Sequence, residues 1–187
     1  VTCTDDAGAT ASDSYVLTVT NTNDAPTISS TAVTAATEDS AYTYTVVAAD
    51  VDSGDTVTLT GTTVPSWLTF TASTGVLTGT PTNSEVGNHA VVITATDASG
   101  ATVTDSFVIA VANTNDAPTV ASAIADVTNA EDTAYSLSVS GMCADVDAGD
   151  GLAYTIAGAP STITISGTTI SGTPVNADVG THTITVT

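Results

Sequence analysis

An internal repeat constrains this sequence more strongly than any other feature. The stretch Asn-Thr-Asn-Asp-Ala-Pro-Thr occupies residues 21–27 and returns 92 residues later at residues 113–119. Gly-Thr-Pro at residues 79–81 returns 93 residues later at residues 172–174. A repeat of this length indicates an array of domains, because each domain-sized copy carries the same pattern of strands and turns. The sequence therefore predicts two units of about 92 residues rather than a single globule.

The repeat also predicts where the domains begin and end. Val-Thr at residues 186–187 matches Val-Thr at residues 1–2, so we expect the sequence to be one period of a longer ribbon. We predict that residues 1–24 are the last two strands of a preceding sandwich and that residues 25–117 form a complete one. Residues 118–187 would form a second sandwich that lacks its last strands, which residues 1–24 of the next copy would supply.

The apolar residues alternate with polar ones, as they do in strands with one buried face. Tyr42, Tyr44 and Val46 alternate with Thr and Val, and the same period of two returns at residues 91–95 and 103–111. Gly, Ser, Asp and Pro separate these runs, and no run has the period of a helix. We predict an all-β fold of tandem immunoglobulin-like (cadherin-like) β-sandwiches, with about seven strands each, arranged as a linear rod.

The charge of the chain is one-sided. There are 20 Asp and Glu residues, no Lys and no Arg. Nucleic acid is excluded as a partner because binding phosphates requires basic residues, and an anionic membrane surface is excluded for the same reason. No apolar run approaches the roughly 18 residues that span a bilayer, so we expect no membrane insertion in this segment. A hydrophobic fraction of 42% in a periodic pattern argues against disorder.

A sandwich without its last strands leaves sheet edges and half a core exposed. We expect identical neighbouring repeats or protomers to fill this gap head to tail, which would generate an open filament. The sequence leaves open whether the copies belong to one continuous polypeptide or to separate protomers that donate two strands.

The two cysteines bear on this arrangement. Cys143 shares the inward parity of the second strand of its sandwich, and Cys3 of the next copy would follow Thr187 on the inward parity of the facing strand. The other unit has Ala48 and Ala95 at these places. We expect a disulfide from Cys143 to Cys3 of the neighbouring copy, which implies an oxidising, extracellular compartment. Two unrelated buried thiols are the alternative.

Most of the acids fall in loop motifs that occur in both units. An Asp-x-Asp motif lies at residues 50–52 and 145–147, a Glu-Asp pair precedes the second strand of each unit, and Thr-Asp-x-x-Gly marks a last hairpin at residues 4–8 and 96–100. Ca²⁺ takes six to eight oxygen ligands, largely from carboxylates, amide oxygens and carbonyls. Loops rich in Asp and Asn therefore suit Ca²⁺. The alternatives are that these residues form turns or belong to a halophilic surface.

Taken together, these motifs resemble a known family. The linker, the Asp-x-Asp motif and Thr-Asp-x-x-Gly are similar to the calcium sites between cadherin repeats. Pro-Ser-Trp-Leu-Thr-Phe at residues 65–70 and Thr-Gly-Val-Leu-Thr-Gly-Thr-Pro at residues 74–81 extend the resemblance. The whole chain resembles the bacterial cadherin-like (dystroglycan-type) and immunoglobulin-like tandem repeats of large surface proteins.

The resemblance implies which residues hold Ca²⁺ at two junctions. Each set takes linker residues, an Asp-x-Asp pair, the Asp of a last hairpin and a Glu from the unit before. The linker departs from that of animal cadherins, which leaves the number of ions per junction open. The first set is Asn21, Asn23, Asp24, Asp50, Asp52, Asp97 and Glu131, with Asp178 as a further candidate. The second set is Asn113, Asn115, Asp116, Asp145, Asp147, Glu38 and Asp5 of the following copy, with Glu85 as a further candidate.

No pattern of catalytic residues accompanies these motifs. His89 and His182 lie at matching strand starts, where surface residues are expected, and the Ser and Thr residues follow strand-face patterns. We therefore predict that the protein is not an enzyme. The predicted function is structural: an extracellular fibre or adhesin stalk segment, on a cell surface or in a secreted filament, that Ca²⁺ rigidifies at its junctions. The alternative is an adhesive module whose sandwiches bind glycan or a partner cell surface.

Overall fold

The computed structural model describes all residues from Val1 to Thr187. Its regular structure consists of β-strands and two 3-10 helices of three residues each, Asn83–Glu85 and Asn176–Asp178. Neither helix has the length and apolar character needed to cross a membrane. The predicted all-β class is confirmed.

The chain forms two compact units whose boundaries differ from those of the sequence repeat. Two short loops of the first repeat belong to the second unit, together with the linker that begins at Asn113. Unit 1 comprises Val1–Ala36, Ala41–Thr80 and Asn88–Ala110. Unit 2 comprises Thr37–Ser40, Pro81–Gly87 and Val111–Thr187.

The chain begins with a hairpin of two strands. β1 (Thr2–Thr4) pairs antiparallel with β2 (Thr10–Ser12). The backbone N–H of Asp5 donates to the carbonyl of Ala9 at 2.9 Å. Gly8 closes the turn with a φ of 85°, a conformation that side chains disfavour. Every residue from 1 to 25 is exposed, so the apolar side chains of this hairpin lie outside any core.

The first repeat is a sandwich of nine strands. Its strands are β3 (Thr27–Ile28), β4 (Ala35–Thr37), β5 (Tyr42–Thr45), β6 (Ala48–Ala49), β7 (Thr58–Thr63), β8 (Leu68–Thr71), β9 (Val76–Gly79), β10 (Gly87–Thr96) and β11 (Thr102–Ala112). One sheet has the order β4-β11-β10-β7, another has the order β5-β9-β8, and β3 pairs with β6. The second predicted strand is divided into β5 and β6 because its two halves pair with different partners.

The core of the first repeat follows from the alternation in its long strands. On β10, Val91, Ile93 and Ala95 are all 0% exposed, and so are Leu77 on β9 and Ile109 on β11. On β10, the residues between them are Val92 and Thr94, which are half-buried and reach solvent. Each strand thus turns one apolar face inward, which is the arrangement that a period of two predicts.

The second repeat follows the same plan with shorter pairings. Its strands are β12 (Thr119–Val120), β13 (Tyr135–Ser138), β14 (Cys143–Ala144), β15 (Ile156–Ala157), β16 (Ile163–Ser166), β17 (Thr169–Gly172) and β18 (Thr185–Val186). The sheets are β13-β17-β16, β12-β14 and β15-β18. Val139, Met142, Ile163 and Ile170 form the buried cluster, against which half-buried residues such as Leu137 and Ile156 pack.

The register of the short strands aligns the two repeats. Ile28 pairs with Ala48 in β3-β6, and Val120 pairs with Cys143 in β12-β14. Cys143 therefore stands where the first repeat has Ala48, as the sequence predicted, although two extra residues around Gly141 precede it. Cys143 is half-buried, Cys3 is exposed, and both thiols are free in the chain. The expected bond to a neighbouring copy stays a prediction.

Candidate metal centre

An unusual turn buries a carboxylate at the start of β5. Asp39 has a φ of 57°, in the left-handed region that Asp tolerates better than most residues. Its N–H donates to the carbonyl of Pro81 at 2.8 Å, and the N–H of Glu38 donates to the carbonyl of Ala112 at 3.0 Å. These two bonds hold the Glu38 side chain inside unit 2, where it is 1% exposed.

The buried Glu38 carboxylate has no hydrogen-bond partner. Both of its oxygens are buried, and neither has a donor within hydrogen-bonding geometry. Burial raises the pKa of Glu38, and the nearby carboxylates of Asp116 and Asp147 raise it further; the backbone N–H of Thr114 lies outside hydrogen-bonding geometry but is near enough to lower the pKa in part. A buried, unpaired anion is energetically unfavourable, so binding of a cation or protonation of Glu38 would stabilise this site.

Two other carboxylates join Glu38. Oxygens of Glu38, Asp39 and Asp116 lie within 4.8 Å of one another. The backbone N–H of Asp116 donates to Asp147 at 2.7 Å, which connects this group to the Asp-x-Asp loop of the second repeat. Residues far apart in the sequence thus meet in one acidic cluster of unit 2.

The Asp-x-Asp loop of the second repeat adds a further group. Oxygens of Asp145, Asp147 and Asp150 lie within 4.8 Å of one another. Asp147 is 6% exposed, and its backbone N–H donates to Asp145 at 2.9 Å. The side-chain amide of Asn83 donates to Asp147 at 2.9 Å and to the amide oxygen of Asn113 at 3.3 Å. The donors to Asp147 are thus the Asn83 amide and the backbone N–H of Asp116, and neither carries a positive charge.

The first repeat builds a similar arrangement within unit 1. Oxygens of Asp50, Asp52 and Asp55 lie within 4.8 Å of one another, and one buried oxygen of Asp50 has no partner. The N–H of Asp24 donates to Asp52 at 2.8 Å, and the Asn23 amide donates to Asp97 at 2.9 Å.

Asp97 differs from Glu38 because its charge is well satisfied. Asp97 is 6% exposed, and the N–H of Ala101 donates to it at 2.7 Å. The amide of Asn23 lowers the pKa of Asp97 most strongly, and the backbone N–H groups of the following turn lower it further, while burial opposes them. Asp97 therefore stays ionised and remains a good oxygen ligand.

The structure brings most of the predicted ligands together, but not all. In unit 1 it joins Asn23, Asp24, Asp50, Asp52 and Asp97; in unit 2 it joins Asn113, Asp116, Asp145, Asp147 and Glu38. Asn115 donates its amide to the carbonyl of Asp116 at 2.7 Å. Asn21, Glu131 and Asp5 are exposed. Glu131 and Asp5 were predicted to bind the ion at a junction with a neighbouring copy, so their assignment stays a prediction.

The two further candidates serve another purpose in the structure. The Glu85 carboxylate accepts from the backbone N–H of Thr82 at 2.8 Å and from its hydroxyl at 2.7 Å. Asp178 accepts in the same way from Val175 and from the hydroxyl of Thr162. The N–H of Val175 and the Thr162 hydroxyl lower the pKa of Asp178, against burial. Both acids stabilise the start of a 3-10 helix.

Sequence analysis missed four residues of the acidic clusters. Asn83 was overlooked, and Asp39, Asp55 and Asp150 were not assigned as ligands. The signal for Asn83 was present, because Asn176 stands at the matching place after the repeated Gly-Thr-Pro. Asp55 and Asp150 also match each other, each three residues after the second Asp of its Asp-x-Asp motif.

The donor set fits a hard divalent cation. The clusters offer carboxylates, amide oxygens and backbone carbonyls, which are the ligands of Ca²⁺, and no thiol or imidazole. The chain has no Lys or Arg that could neutralise them. The two unpartnered oxygens of Glu38 are the observation that fits a bound cation best, because an anion without hydrogen bonds is otherwise unfavourable there.

These features define a class of protein: two immunoglobulin-like, cadherin-like sandwiches in tandem, with acidic loops that repeat from one to the next. The predicted fold class is confirmed. Within that class, the chain belongs to the family described as "Putative Ig domain", which matches residues 25–112 and 117–187.

Known relatives include a bacterial adhesin. The chain is 36% identical over 145 residues to the "Serine-rich adhesin for platelets" of Staphylococcus aureus (strain MSSA476). The match covers 75% of this chain and only 6% of the relative. The chain is thus related to a small part of a much longer protein.

Solved structures show a likeness to cadherins. Extracellular cadherin domains 1–5 of Protocadherin Gamma B2 match with a TM-score of 0.56 and 16% identity, over 90% of this chain and 37% of that one. This likeness supports the fold alone. An endo-fucoidan hydrolase from glycoside hydrolase family 107 also matches at 26% identity, over 90% of this chain and 29% of that one, with a TM-score of only 0.43.

Proposed function

We propose that this chain is a segment of a structural stalk that Ca²⁺ stiffens at the acidic clusters. The observation that carries the proposal is Glu38, which is 1% exposed and has two unpartnered oxygens beside Asp39 and Asp116. Turn-forming acids would be exposed or bonded to their own backbone, as Asp5 is to Ala7 and Ala9. Glu38 is neither.

The mechanism is electrostatic. Glu38 and Asn83 belong to the first repeat, Asp116 to the linker, and Asp145 and Asp147 to the second repeat. One cation that bound oxygens of all three segments would tie them together, and it would remove the repulsion between their charges. The side chain of Asn83 would turn its amide so that the oxygen, in place of the nitrogen, faced the cation.

A surface location follows from the same proposal. The family relationship to a surface adhesin supports a position at the cell surface or in a secreted filament. Ca²⁺ is abundant outside cells, where sites of modest affinity suffice.

Ion binding is tested by comparing Glu38→Gln with Asp126→Asn, an exposed acid that belongs to neither predicted set of ligands. Calorimetric titration with Ca²⁺ should show an affinity lower by about 10- to 100-fold for Glu38→Gln and unchanged for Asp126→Asn. In chelator, Glu38→Gln should raise the melting temperature, because it removes a buried negative charge that nothing neutralises. With Ca²⁺ present, Glu38→Gln should instead lower the melting temperature, because the variant lacks a ligand of the ion.

The controls separate ion binding from stiffening. X-ray scattering of the wild-type chain should show a change in maximum dimension when the ion is removed by chelation. If Glu38→Gln binds Ca²⁺ as tightly as the wild type, or unfolds at a lower temperature in chelator, Glu38 is not a ligand. If Ca²⁺ binds but neither dimension nor melting temperature changes, the ion has no stiffening role.

A second candidate function is adhesion. The relative is an adhesin for platelets by its name, and the sandwiches of this chain would then bind glycan or a partner cell surface. A glycan array probed with the whole chain in Ca²⁺ distinguishes the two functions. Binding that survives in Glu38→Gln would favour an adhesive module, and inert behaviour would favour the stalk.

A further inference from the structure

We propose that Asp150 and Gly151 form a site of spontaneous covalent modification, at which the aspartate isomerises to isoaspartate through a cyclic imide. The reactants are the side-chain carboxyl of Asp150, the backbone amide of Gly151 and water, so the reaction needs no enzyme and no cofactor. The dipeptide lies in the loop between β14 and β15, and both of these strands are present in the structure. The modification itself does not depend on the proposed ion site.

The same loop occurs in both repeats and folds in the same way in each. Residues 50–55 read Asp-Val-Asp-Ser-Gly-Asp, and residues 145–150 read Asp-Val-Asp-Ala-Gly-Asp. In each loop the N–H of the third aspartate donates to the carbonyl of the second, at 3.1 Å in the first repeat and 3.3 Å in the second. The glycine before the third aspartate has a positive φ in both, 89° and 99°. Asp55 and Asp150 therefore occupy the same position in the same turn.

The repeats differ in the residue that follows this aspartate. Thr56 follows Asp55, whereas Gly151 follows Asp150, and the chain has no other Asp-Gly dipeptide and no Asn-Gly. Imide formation requires the backbone nitrogen of the following residue to approach the carboxyl carbon, and a stiff β-branched side chain on that residue obstructs the approach. Glycine has no Cβ and the widest choice of backbone angles, so it permits the approach most readily.

The first repeat shows that this loop brings the reacting groups close together. The N–H of Thr56 donates to the side-chain oxygen Oδ1 of Asp55, with 2.9 Å between nitrogen and oxygen. A carboxyl at this position of the turn thus reaches the backbone nitrogen of the next residue. Because the second repeat has the same turn, the carboxyl of Asp150 has the same reach toward the nitrogen of Gly151.

The backbone of Gly151 is free to make this approach. Its N–H donates no hydrogen bond, so none has to break before the nitrogen turns toward the carboxyl. A Cβ built on Gly151 would meet no heavy atom within 4 Å, so the space around the residue is open. Thr56 is exposed at the matching position of the first repeat, which has its closing strands. The openness of this position therefore belongs to the loop itself.

The reaction proceeds in two steps that conserve all atoms. In the first step the nitrogen of Gly151 bonds to Cγ of Asp150 and one Cγ–O bond breaks; the departing oxygen takes the amide proton and one proton from solvent and leaves as water. In the second step water adds to one of the two ring carbonyls derived from Asp150, the nitrogen regains a proton, and one proton returns to solvent. Addition at Cγ restores aspartate. Addition at the main-chain carbonyl carbon gives isoaspartate, in which the chain runs through the former side chain.

Isomerisation changes the acidic group of the second repeat. Oxygens of Asp145, Asp147 and Asp150 lie within 4.8 Å of one another. In isoaspartate one methylene group joins the main chain and the free carboxylate is attached directly to Cα, so this carboxylate is displaced from its two neighbours. The effect on Ca²⁺ rests on the proposed function, because it requires that this group binds the ion. The first repeat keeps its acidic group, since Thr56 obstructs the reaction at Asp55.

The modification is tested by keeping the whole chain at neutral pH in chelator and taking samples over several weeks. An isoaspartyl methyltransferase labels the carboxylate of isoaspartate, and fragmentation in a mass spectrometer locates the labelled residue. Isoaspartate should accumulate at Asp150 at least about tenfold faster than at Asp55, because glycine permits the approach of the nitrogen and threonine obstructs it. Asp55 serves as the internal control. Equal accumulation at the two positions, or none at Asp150, overturns the proposal.

Gly151→Thr is the matched variant, because it gives the second repeat the residue that the first repeat has. The φ of Gly151 lies outside the left-handed region and the space around it is open, so threonine is accepted there without strain. The variant should melt at the same temperature as the wild type, and isoaspartate should form at Asp150 at least about tenfold more slowly. If isoaspartate forms equally fast in Gly151→Thr and in the wild type, the role assigned to Gly151 is wrong.

Ca²⁺ separates the modification from the proposed function. If Asp150 reacts only while its group is empty, Ca²⁺ at ten times its Kd should slow isomerisation about tenfold. Aged wild type should bind Ca²⁺ more weakly than fresh protein, whereas aged Gly151→Thr should bind it as tightly as before. Isoaspartate at Asp150 with neither effect overturns the link to the ion and leaves the modification standing. Absence of isoaspartate overturns the modification and leaves ion binding by Glu38 intact.

Discussion

The first and second repeats carry nearly the same pattern but reach different degrees of closure. Glu38 is 1% exposed, whereas Glu131 at the same place is exposed, although Asp39 and Asp132 share a φ of 57°. The difference lies in a neighbouring strand: the N–H of Glu38 donates to Ala112 at the end of β11. The local turn is therefore encoded in each repeat, but burial of the acid requires the closing strand.

The largest expected difference concerns the central strand of each sandwich. Leu77→Ala should lower the free energy of unfolding of the first repeat by about 2–5 kcal/mol, because Leu77 is 0% exposed and its neighbours enclose the cavity. Ile170→Ala should cost about 2 kcal/mol or less, since half-buried neighbours such as Leu137 and Ile165 can relax.

Urea unfolding monitored by the fluorescence of Trp67, the single tryptophan, reports on the first repeat, and hydrogen exchange reports on both. Equal losses in the two variants would contradict the view that the repeats differ in closure.

A smaller difference should appear at alkaline pH. Burial raises the pKa of Tyr42 from 10 to about 12. The folded state therefore favours the neutral phenol, so this stability is present below pH 10 and is lost as the pH rises toward about 12. The loss should be about 1–2 kcal/mol after allowance for solvent screening, and Tyr42→Phe should flatten it.

The smallest expected effect concerns one hydroxyl. Tyr44 donates to Asp105 at 2.9 Å and lies 2.9 Å from the hydroxyl of Ser30. Tyr44→Phe should cost about 1 kcal/mol because it removes the hydroxyl that donates to Asp105, whereas Ser30 keeps its bond from the N–H of Val47. Leu137 at the same place has no hydroxyl, so Leu137→Met should stay within about 1.5 kcal/mol. A Tyr44→Phe variant as stable as the wild type would show that water replaces the hydroxyl.

The sequence predicted the repeat, the all-β class and the acidic loops because these depend on local patterns. Alternation at Val91, Ile93 and Ala95 gave the buried face of β10 directly. The burial of Glu38 was not predictable, because it depends on a left-handed residue after it and on a strand end far along the chain. Asn83 was missed for a similar reason: a 3-10 helix places it beside Asp147, and such helices leave little periodic signal.

The bond from Glu38 to the end of β11 has a consequence for the order of folding. The buried position of the carboxylate depends on the last strand of its sandwich, because the N–H of Glu38 bonds to Ala112. We therefore expect a cation held by Glu38 to bind only when β11 is in place, late in folding. Such an interaction would change the folding rate little and would chiefly slow unfolding. The bound ion would thus set how slowly the first repeat unfolds, rather than how quickly it folds.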